Sequence, residues 1–462
     1  MLKQIGLVAI AALVLVACGG GENDSDKSDA AAINLNPYPS TYTPRASDTV
    51  LITNASIFDG LGNQIDGGSV LLENGRITAI GADIAAPDGA NTINAQGKWV
   101  TPGIIDNHSH LGVYAAPGVE AHADGNEITA PVTAEVWAEH GVWPQDPGFT
   151  RALAGGVTSM QVLPGSANLF GGRGVILKNV VGRTVQDMKF PDAPYTLKMA
   201  CGENPKRVYG GRGQAPGSRM GNFAGYRQTW LQAIEYKRKW DKFAEDGGDP
   251  PSRDLEMETL SGVLAGDILV HMHCYRADEM IQVLDMADEF GYKVTSFHHG
   301  VEAYKIADRL AEADVCASIW ADWWGFKMEA YDGVRENLPM VHQAGACAIV
   351  HSDSDVGIQR LNQEAAKAWS DGRRAGFDIS QAEVWTWLSA NPAKSLGIFE
   401  ETGSLEEGKA ADLVIWTGNP FSVFSKAEKV FIDGALLYDL HDDGLLPVTD
   451  FELGQPGQGD RK

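Results

Sequence analysis

Thr101-Pro102-Gly103-Ile104-Ile105-Asp106-Asn107-His108-Ser109-His110 is the most informative stretch of this 462-residue chain. An apolar run entered through Pro-Gly reads as a buried strand. Alternate residues of a strand share a face, so His108 and His110 point into one space at its C-terminal end. Two neutral imidazoles side by side can reach one cation, and zinc and similar divalent ions accept them readily. His-x-His alone is a weak signal; the Pro-Gly and the apolar run before it sharpen it.

Outward from this strand, residues 102–398 alternate apolar strand-length runs with helical periodicity, the pattern of βα units around a parallel sheet. Asp267–His273 is such a run, followed by Met280, Val283, Leu284 and Ala287 at helical spacing. Lys293–His298 precedes Ala303, Ile306, Ala307 and Leu310, and Cys347–His351 precedes a helix-forming stretch from Asn362 to Arg374. Ser380-Gln381-Ala382-Glu383 is a capping box, and Asn391-Pro392 opens a further helix. Short strands separated by Gly and Asn turns occupy 48–101 and return at 399–440, so the two ends are expected to pair into one small β-sandwich domain flanking the barrel. Residues 215–262, with a helical stretch Tyr226–Phe243 and a loop at Gly247–Pro251, look like an insertion, either covering the site or packing at the periphery.

The Thr-Pro-Gly-Ile-Ile-Asp-x-His-x-His stretch resembles the first barrel strand of the amidohydrolase superfamily, in the manner of imidazolonepropionase, dihydroorotase and prolidase-like dipeptidases. The likeness extends over about residues 48–440 and includes Gly408-Lys409-Ala410-Ala411-Asp412-Leu413-Val414 and Asn391-Pro392-Ala393-Lys394. It implies a (β/α)8 TIM barrel that binds one or two divalent ions, zinc foremost, with ligands His108 and His110 on the first strand, His273 ending the fifth, His299 ending the sixth and Asp353 after the eighth. Asp353 is favoured over Asp355, which lies further into the loop. On the fourth strand the resemblance implies a bridging ligand: Lys198 as a carbamate, Glu203 instead of it, or, as a weaker third, Lys178. His271 is expected as a core or supporting histidine and His298 as packing outward under a helix; His122 and His140, in loops, are expected to be solvated.

The implied activity is hydrolysis of an amide, cyclic amide or dipeptide bond by an activated water, with Asp353 as general acid and base. A deaminase or a non-catalytic binding barrel are the alternatives. No Gly-x-Ser-x-Gly elbow argues for a serine nucleophile. Arg173, in the Gly-rich connection Gly171-Gly172-Arg173-Gly174, and Tyr275 and Arg276 are candidates to hold a substrate carboxylate. The substrate is expected to be a small molecule.

The remaining signals concern location. Lys3 precedes an apolar run, Ile5–Ala17, shorter than the roughly 20 residues a membrane span needs, and it ends in Leu15-Val16-Ala17-Cys18-Gly19. This resembles a bacterial lipobox, which makes 1–18 a signal peptide and Cys18 a lipid anchor, on the periplasmic side and, with Gly19 following, at the outer membrane. Residues 19–47, poor in large apolar groups, read as a flexible tether, and 441–462 as a tail. A net charge of −24 without a Lys/Arg cluster excludes a nucleic-acid groove. Cys201, Cys274, Cys316 and Cys347 lie in apolar stretches without paired spacing and are expected to be buried free thiols, although an oxidising compartment leaves a disulfide open.

Overall fold

A computed structural model describes residues 33–442 together with 444 and 445. Cys18 and the signal segment lie outside the described residues, as does most of the C-terminal tail.

Eight strands form the barrel sheet in sequence order: Ile104–Ser109, Val157–Val162, Phe170–Lys178, Tyr195–Ala200, Ile268–Cys274, Val294–His299, Cys316–Ile319 and Cys347–Val350. They are buried along nearly their whole length, as a sheet covered on both faces requires. The ladders are parallel except around the third strand, which runs antiparallel to the second and fourth. The cause is the connection: residues 163–169 are too few for the helical crossover of a dozen or more residues that a parallel pair needs, so the chain turns back as a hairpin. Gly103, in the opening motif, is required by close packing, because a Cβ there would stand 2.1 Å from the Thr158 hydroxyl on the second strand.

The two chain ends meet as expected. Leu413–Trp416 pairs antiparallel with Trp99–Pro102, Leu413 opposite Pro102, and the N-terminal strands Val50–Phe58, Gln64–Glu73, Arg76–Gly81 and Asn91–Asn94 continue one eight-stranded sheet with Ala427–Ile432 and Ala435–Asp439. Ile52, Ile57, Val70, Leu72, Val100, Leu413 and Phe431 share its own core. Lys178 fastens this domain to the barrel, with Nζ 2.8 Å from Asp433 and 3.4 Å from Asp412. Residues 33–47, expected as part of a flexible tether, are instead held to the barrel by backbone groups: Arg173 donates to the Leu35 carbonyl (2.7 Å), Lys189 to the Tyr38 carbonyl (2.7 Å), and Thr41 N to the Gln186 carbonyl (3.0 Å).

The stretch read as an insertion is the crossover between the fourth and fifth strands. Its helix, Arg219–Asp246, starts on a Ser218 cap and buries Asn222, Tyr226, Thr229, Trp230, Ala233 and Tyr236. Asn222 donates to the Gly202 carbonyl (3.0 Å), so the start of the helix holds the loop that follows the fourth strand. The capping box at Ser380 and Glu383 is present and opens the helix Gln381–Trp385.

The four cysteines are not free thiols. Cys201 pairs with Cys274 and Cys316 with Cys347, at Cα separations of 5.2 and 4.4 Å. Each pair joins neighbouring strands of the barrel, and Cys316 and Cys347 are direct register partners. Spacing along the chain concealed this, since a βα unit separates the members of each pair in sequence while the sheet sets them side by side. Replacing Cys316 and Cys347 together by Ala should lower unfolding stability by about 3–4 kcal/mol from loop entropy alone, given their sequence separation of 31 residues. A denaturant midpoint unchanged between the variant and the wild type would show that the bond does not form.

Candidate metal centre

Four barrel strands deliver imidazoles to one mouth. His110 Nε2 lies 3.1 Å and His108 Nε2 3.4 Å from Asp353 Oδ1, and His299 Nδ1 lies 3.9 Å from Asp353 Oδ2. His273 packs edge-on against His299, with ring centroids 4.6 Å apart. His351, at the end of the eighth strand, reaches His299, its Nε2 3.0 Å from His299 Nδ1. His299 and Asp353 both hold left-handed backbone, φ 75° and 49°. For His this is an unfavourable conformation, of the kind that persists at functional sites because the surroundings over-determine it.

Local chemistry explains the placement. Asp106, fully buried, accepts hydrogen bonds from His108 N (3.1 Å), Ser352 N (3.2 Å) and the Ser352 hydroxyl. One carboxyl thereby joins the end of the first strand to the end of the eighth, and Asp353 N closes the seam by donating to the His108 carbonyl (3.0 Å). His110 Nδ1 stands 2.8 Å from the Leu163 carbonyl and so must carry a proton there, which leaves its Nε2 a lone pair facing Asp353. Burial pushes Asp106 up to about 7. For Asp353, burial acts upward too, but its contacts with the imidazoles of His110, His299 and His351 outweigh it and hold the carboxyl below its usual range.

Lys198, on the fourth strand, is fully buried and donates to the Pro164 carbonyl (3.1 Å). Burial pushes its amine down to about 7, against the pull of Asp353. Its charge bears on both His108 and His273.

These residues fit a divalent cation. Among the described residues, His108, His299 and His351, and likewise His108, His110 and Asp353, offer ligand atoms all within 4.8 Å of one another. His108 Nε2, His273 Nδ1 and His351 Nδ1 are buried nitrogens without hydrogen-bond partners, a costly condition that ligation would relieve.

The sequence model of the amidohydrolase family matches residues 99–437. The chain belongs to the amidohydrolase family. These are hydrolases acting on carbon–nitrogen bonds. An amidohydrolase of known structure from Thermotoga maritima superimposes with a TM-score of 0.78 at 36% identity, covering 84% of this chain and all of that one. Amidohydrolase tasK of Hapsidospora irregularis is 33% identical over 80% of this chain, which spans only 40% of that relative's length. The imidazolonepropionase of Mesorhizobium japonicum is 24% identical, over 79% of this chain and 90% of its own.

Within this amidohydrolase, His108, His110, Lys198, His273, His299 and Asp353 converge on one mouth, and Asp355 is exposed beyond it. Glu203 opens the helix Glu203–Gly210 and is drawn to Lys327, 3.3 Å away. Lys178 sits with the small domain, remote from the mouth. Of the substrate candidates, Tyr275 borders the cluster, its ring 4.8 Å from His273 and 5.4 Å from His299. Arg276 is engaged by Asp278 (2.8 Å). Arg173 is not in a flexible loop: it lies buried in the third strand, donating to Thr259 (2.8 Å) and stacked 4.1 Å from the Trp137 ring centroid. Gly172 makes that possible, since at φ 111° a Cβ would stand 2.2 Å from the Val136 carbonyl.

His298 corrects a second expectation. It faces inward with Ser296, its Nδ1 2.8 Å from His108 Nδ1, and the backbone turn at His299 breaks the strand's alternation and brings the next ring inside as well. His351 and Lys327 were not singled out from the sequence. His351 could have been, as the last residue of a buried run two before Asp353; Lys327, in the loop after the seventh strand, carries no such signal. His140 is exposed, stacked on the Trp137 ring, whereas His122 is only half-exposed, its ring 5.1 Å from that of Trp143.

In metal-free protein the Lys198 amine generates a pH dependence of known sign. Between about 7 and 10.5 the folded amine is neutral and the unfolded one protonated, so the unfolded chain binds more protons and stability rises with pH across that window. Below 7 both states are protonated and the slope vanishes. Lys198→Met should flatten the rise in denaturant midpoint between pH 7 and 10; a wild-type slope no steeper than the variant's would mean that the amine keeps its ordinary pKa.

Proposed function

We propose that this chain is a metal-dependent hydrolase of small amides, with dipeptides and other N-acyl amino acids as its substrate class. The observation that carries the reading is the convergence of His108, His110, His273, His299, Asp353 and a buried Lys198 at one barrel mouth, with the partnerless His108 Nε2 facing Asp353. A divalent cation, zinc by donor type, held singly or as a pair, would polarise the scissile carbonyl and acidify a water.

The protein's own groups supply the remainder. Asp353, ionised at neutral pH, takes the proton from the attacking water and passes it to the leaving nitrogen. Lys198 has an amine with a substantial neutral fraction near pH 7, the form that reacts with carbon dioxide; losing a proton as the N–C bond forms, it would become an anionic bridging carbamate. Lys327 lies 4.1 Å over the Tyr275 ring beside His273, and its ammonium suits a substrate carboxylate. Trp320 stacks on His299, centroids 4.2 Å apart, and on Trp323, which gives the site an apolar wall on that side.

Purified protein should contain one or two equivalents of zinc by mass spectrometry and should cleave members of a library of dipeptides and N-acyl amino acids. Asp353→Asn should keep the fold and lose at least about a thousandfold in kcat, as expected where one group serves as both acid and base. Zinc-free protein that stays inactive when zinc is supplied would overturn the reading.

The lipobox reading extends the proposal to location: Cys18 acylated and the hydrolase hung from the outer membrane, a compartment where two disulfides form and persist. Cys18→Ser should move the protein from the membrane to the soluble fraction, and equal partitioning of both forms would refute the anchor.

A further inference from the structure

Beneath the metal centre three histidines stand in contact. His108 Nδ1 is 2.8 Å from His298 Nδ1, His298 Nε2 is 2.8 Å from His271 Nδ1, and His271 Nε2 is 3.1 Å from the Ser395 carbonyl. All three rings are fully buried. A neutral imidazole has one N–H and one lone pair, so fixing either nitrogen of one ring determines the rest of such a chain.

Two constraints fix His271 independently. The Ser395 carbonyl can only accept, so His271 Nε2 carries the proton. On the other side, Gln161 Nε2 lies 2.6 Å from the Asn107 carbonyl, which identifies that atom as the amide's NH2 rather than its oxygen; the same NH2 stands 3.2 Å from His271 Nδ1, where a second proton would be repelled, so Nδ1 is the proton-free nitrogen. His298 then donates from Nε2 to His271, leaving its Nδ1 as an acceptor. His108 donates from Nδ1 to His298, and its proton-free Nε2 is the buried nitrogen that lacks a hydrogen-bond partner, 3.4 Å from Asp353.

We infer that His298 and His271, anchored by Ser395 and Gln161, are positioning residues: a buried imidazole relay that locks His108 in the Nδ1–H tautomer and aims its Nε2 lone pair into the metal site. In the commoner arrangement a metal-bound histidine is oriented by one carboxylate or carbonyl. Here a backbone carbonyl does so at a distance of two rings, without placing a negative charge beneath the cations. His110 reaches the same tautomer directly through the Leu163 carbonyl, so the two histidines of the first strand present equivalent nitrogens by different means.

The inference rests on the metal-site reading for its purpose but not for its test. In metal-free full-length protein labelled with 15N-histidine, two-bond proton–nitrogen correlations, assigned with single His→Gln variants, should show His271 and His298 as Nε2–H tautomers and His108 as Nδ1–H. An Nε2–H tautomer at His108 would overturn the relay whether or not zinc binds. Competition with a chromophoric chelator supplies a second readout. His298→Phe should weaken zinc binding by about 10- to 100-fold. His298→Gln, whose amide offers N–H towards His271 and oxygen towards His108, should recover most of that loss. A folded His298→Phe with wild-type affinity, or a Gln variant as weak as Phe, would also overturn the relay. Should His298→Phe fail to fold, the wild-type tautomers decide alone.

Discussion

The structure depends on a seam. Asp106 accepts from His108 N, Ser352 N and the Ser352 hydroxyl, and Asp353 N donates to the His108 carbonyl, so the first and last strands of the barrel are joined where the chemistry is to occur. A barrel whose ends met elsewhere would still bury its core, yet it would separate His108 and His110 from a carboxylate 245 residues later in the chain. The carboxyl that makes the join is fully buried, and burial raises it to about 7, so the hydrogen bonds are what make it tolerable there.

The cluster itself works against stability in the absence of a ligand. His108, His273 and His299 are buried with their pKa values held well below the usual range, first by desolvation, and His108 Nε2 and His273 Nδ1 lack partners. Each such nitrogen costs on the order of 1–3 kcal/mol as an unsatisfied buried polar group. The surrounding framework therefore has to over-determine the site, and it does so with two strand-to-strand disulfides, one of them ending at Cys274 beside His273, and with a buried cation, Lys178, joining barrel to flanking sheet.

Much of this was legible in the sequence where a residue's position follows from strand order. Lys198, His273, His299 and Asp353 fall on or just after the fourth, fifth, sixth and eighth strands, as the resemblance implied, because ends of parallel strands gather at one face whatever the intervening helices contain. What escaped depended on contacts across the sheet. Cysteine pairing follows register, which spacing along one chain does not reveal. That His298 and His299 both face inward follows from a single φ at His299, which turns the second ring against the strand's alternation. Arg173 looked like a loop residue because its glycines suggested flexibility, whereas they admit the backbone of Val136 to within contact. Residues 33–47 looked like a tether because they carry few large apolar side chains, but Ile33 and Tyr42 pack on the core and the segment's carbonyls and amides are bonded to the barrel, contacts that composition does not register.

Charge raises a final question about recognition. A chain with a formal charge of −24 should repel a carboxylate-bearing substrate, and any reading that involves one has to meet this objection. At physiological ionic strength the Debye length is about 8 Å, so acidic groups on the far surface are screened before a substrate reaches the mouth. What it meets there is decided locally. Lys327 stands beside His273, paired with Glu203 at 3.3 Å on the opposite side and only partly exposed. An anion arriving at Lys327 would share it with Glu203, and since both compete for one ammonium in a half-buried setting, the balance turns on geometry rather than on total charge. Net acidity and recognition of an anion are therefore compatible in this fold: the first acts over the whole surface and is screened, whereas the second acts over a few ångströms among groups that solvent reaches poorly.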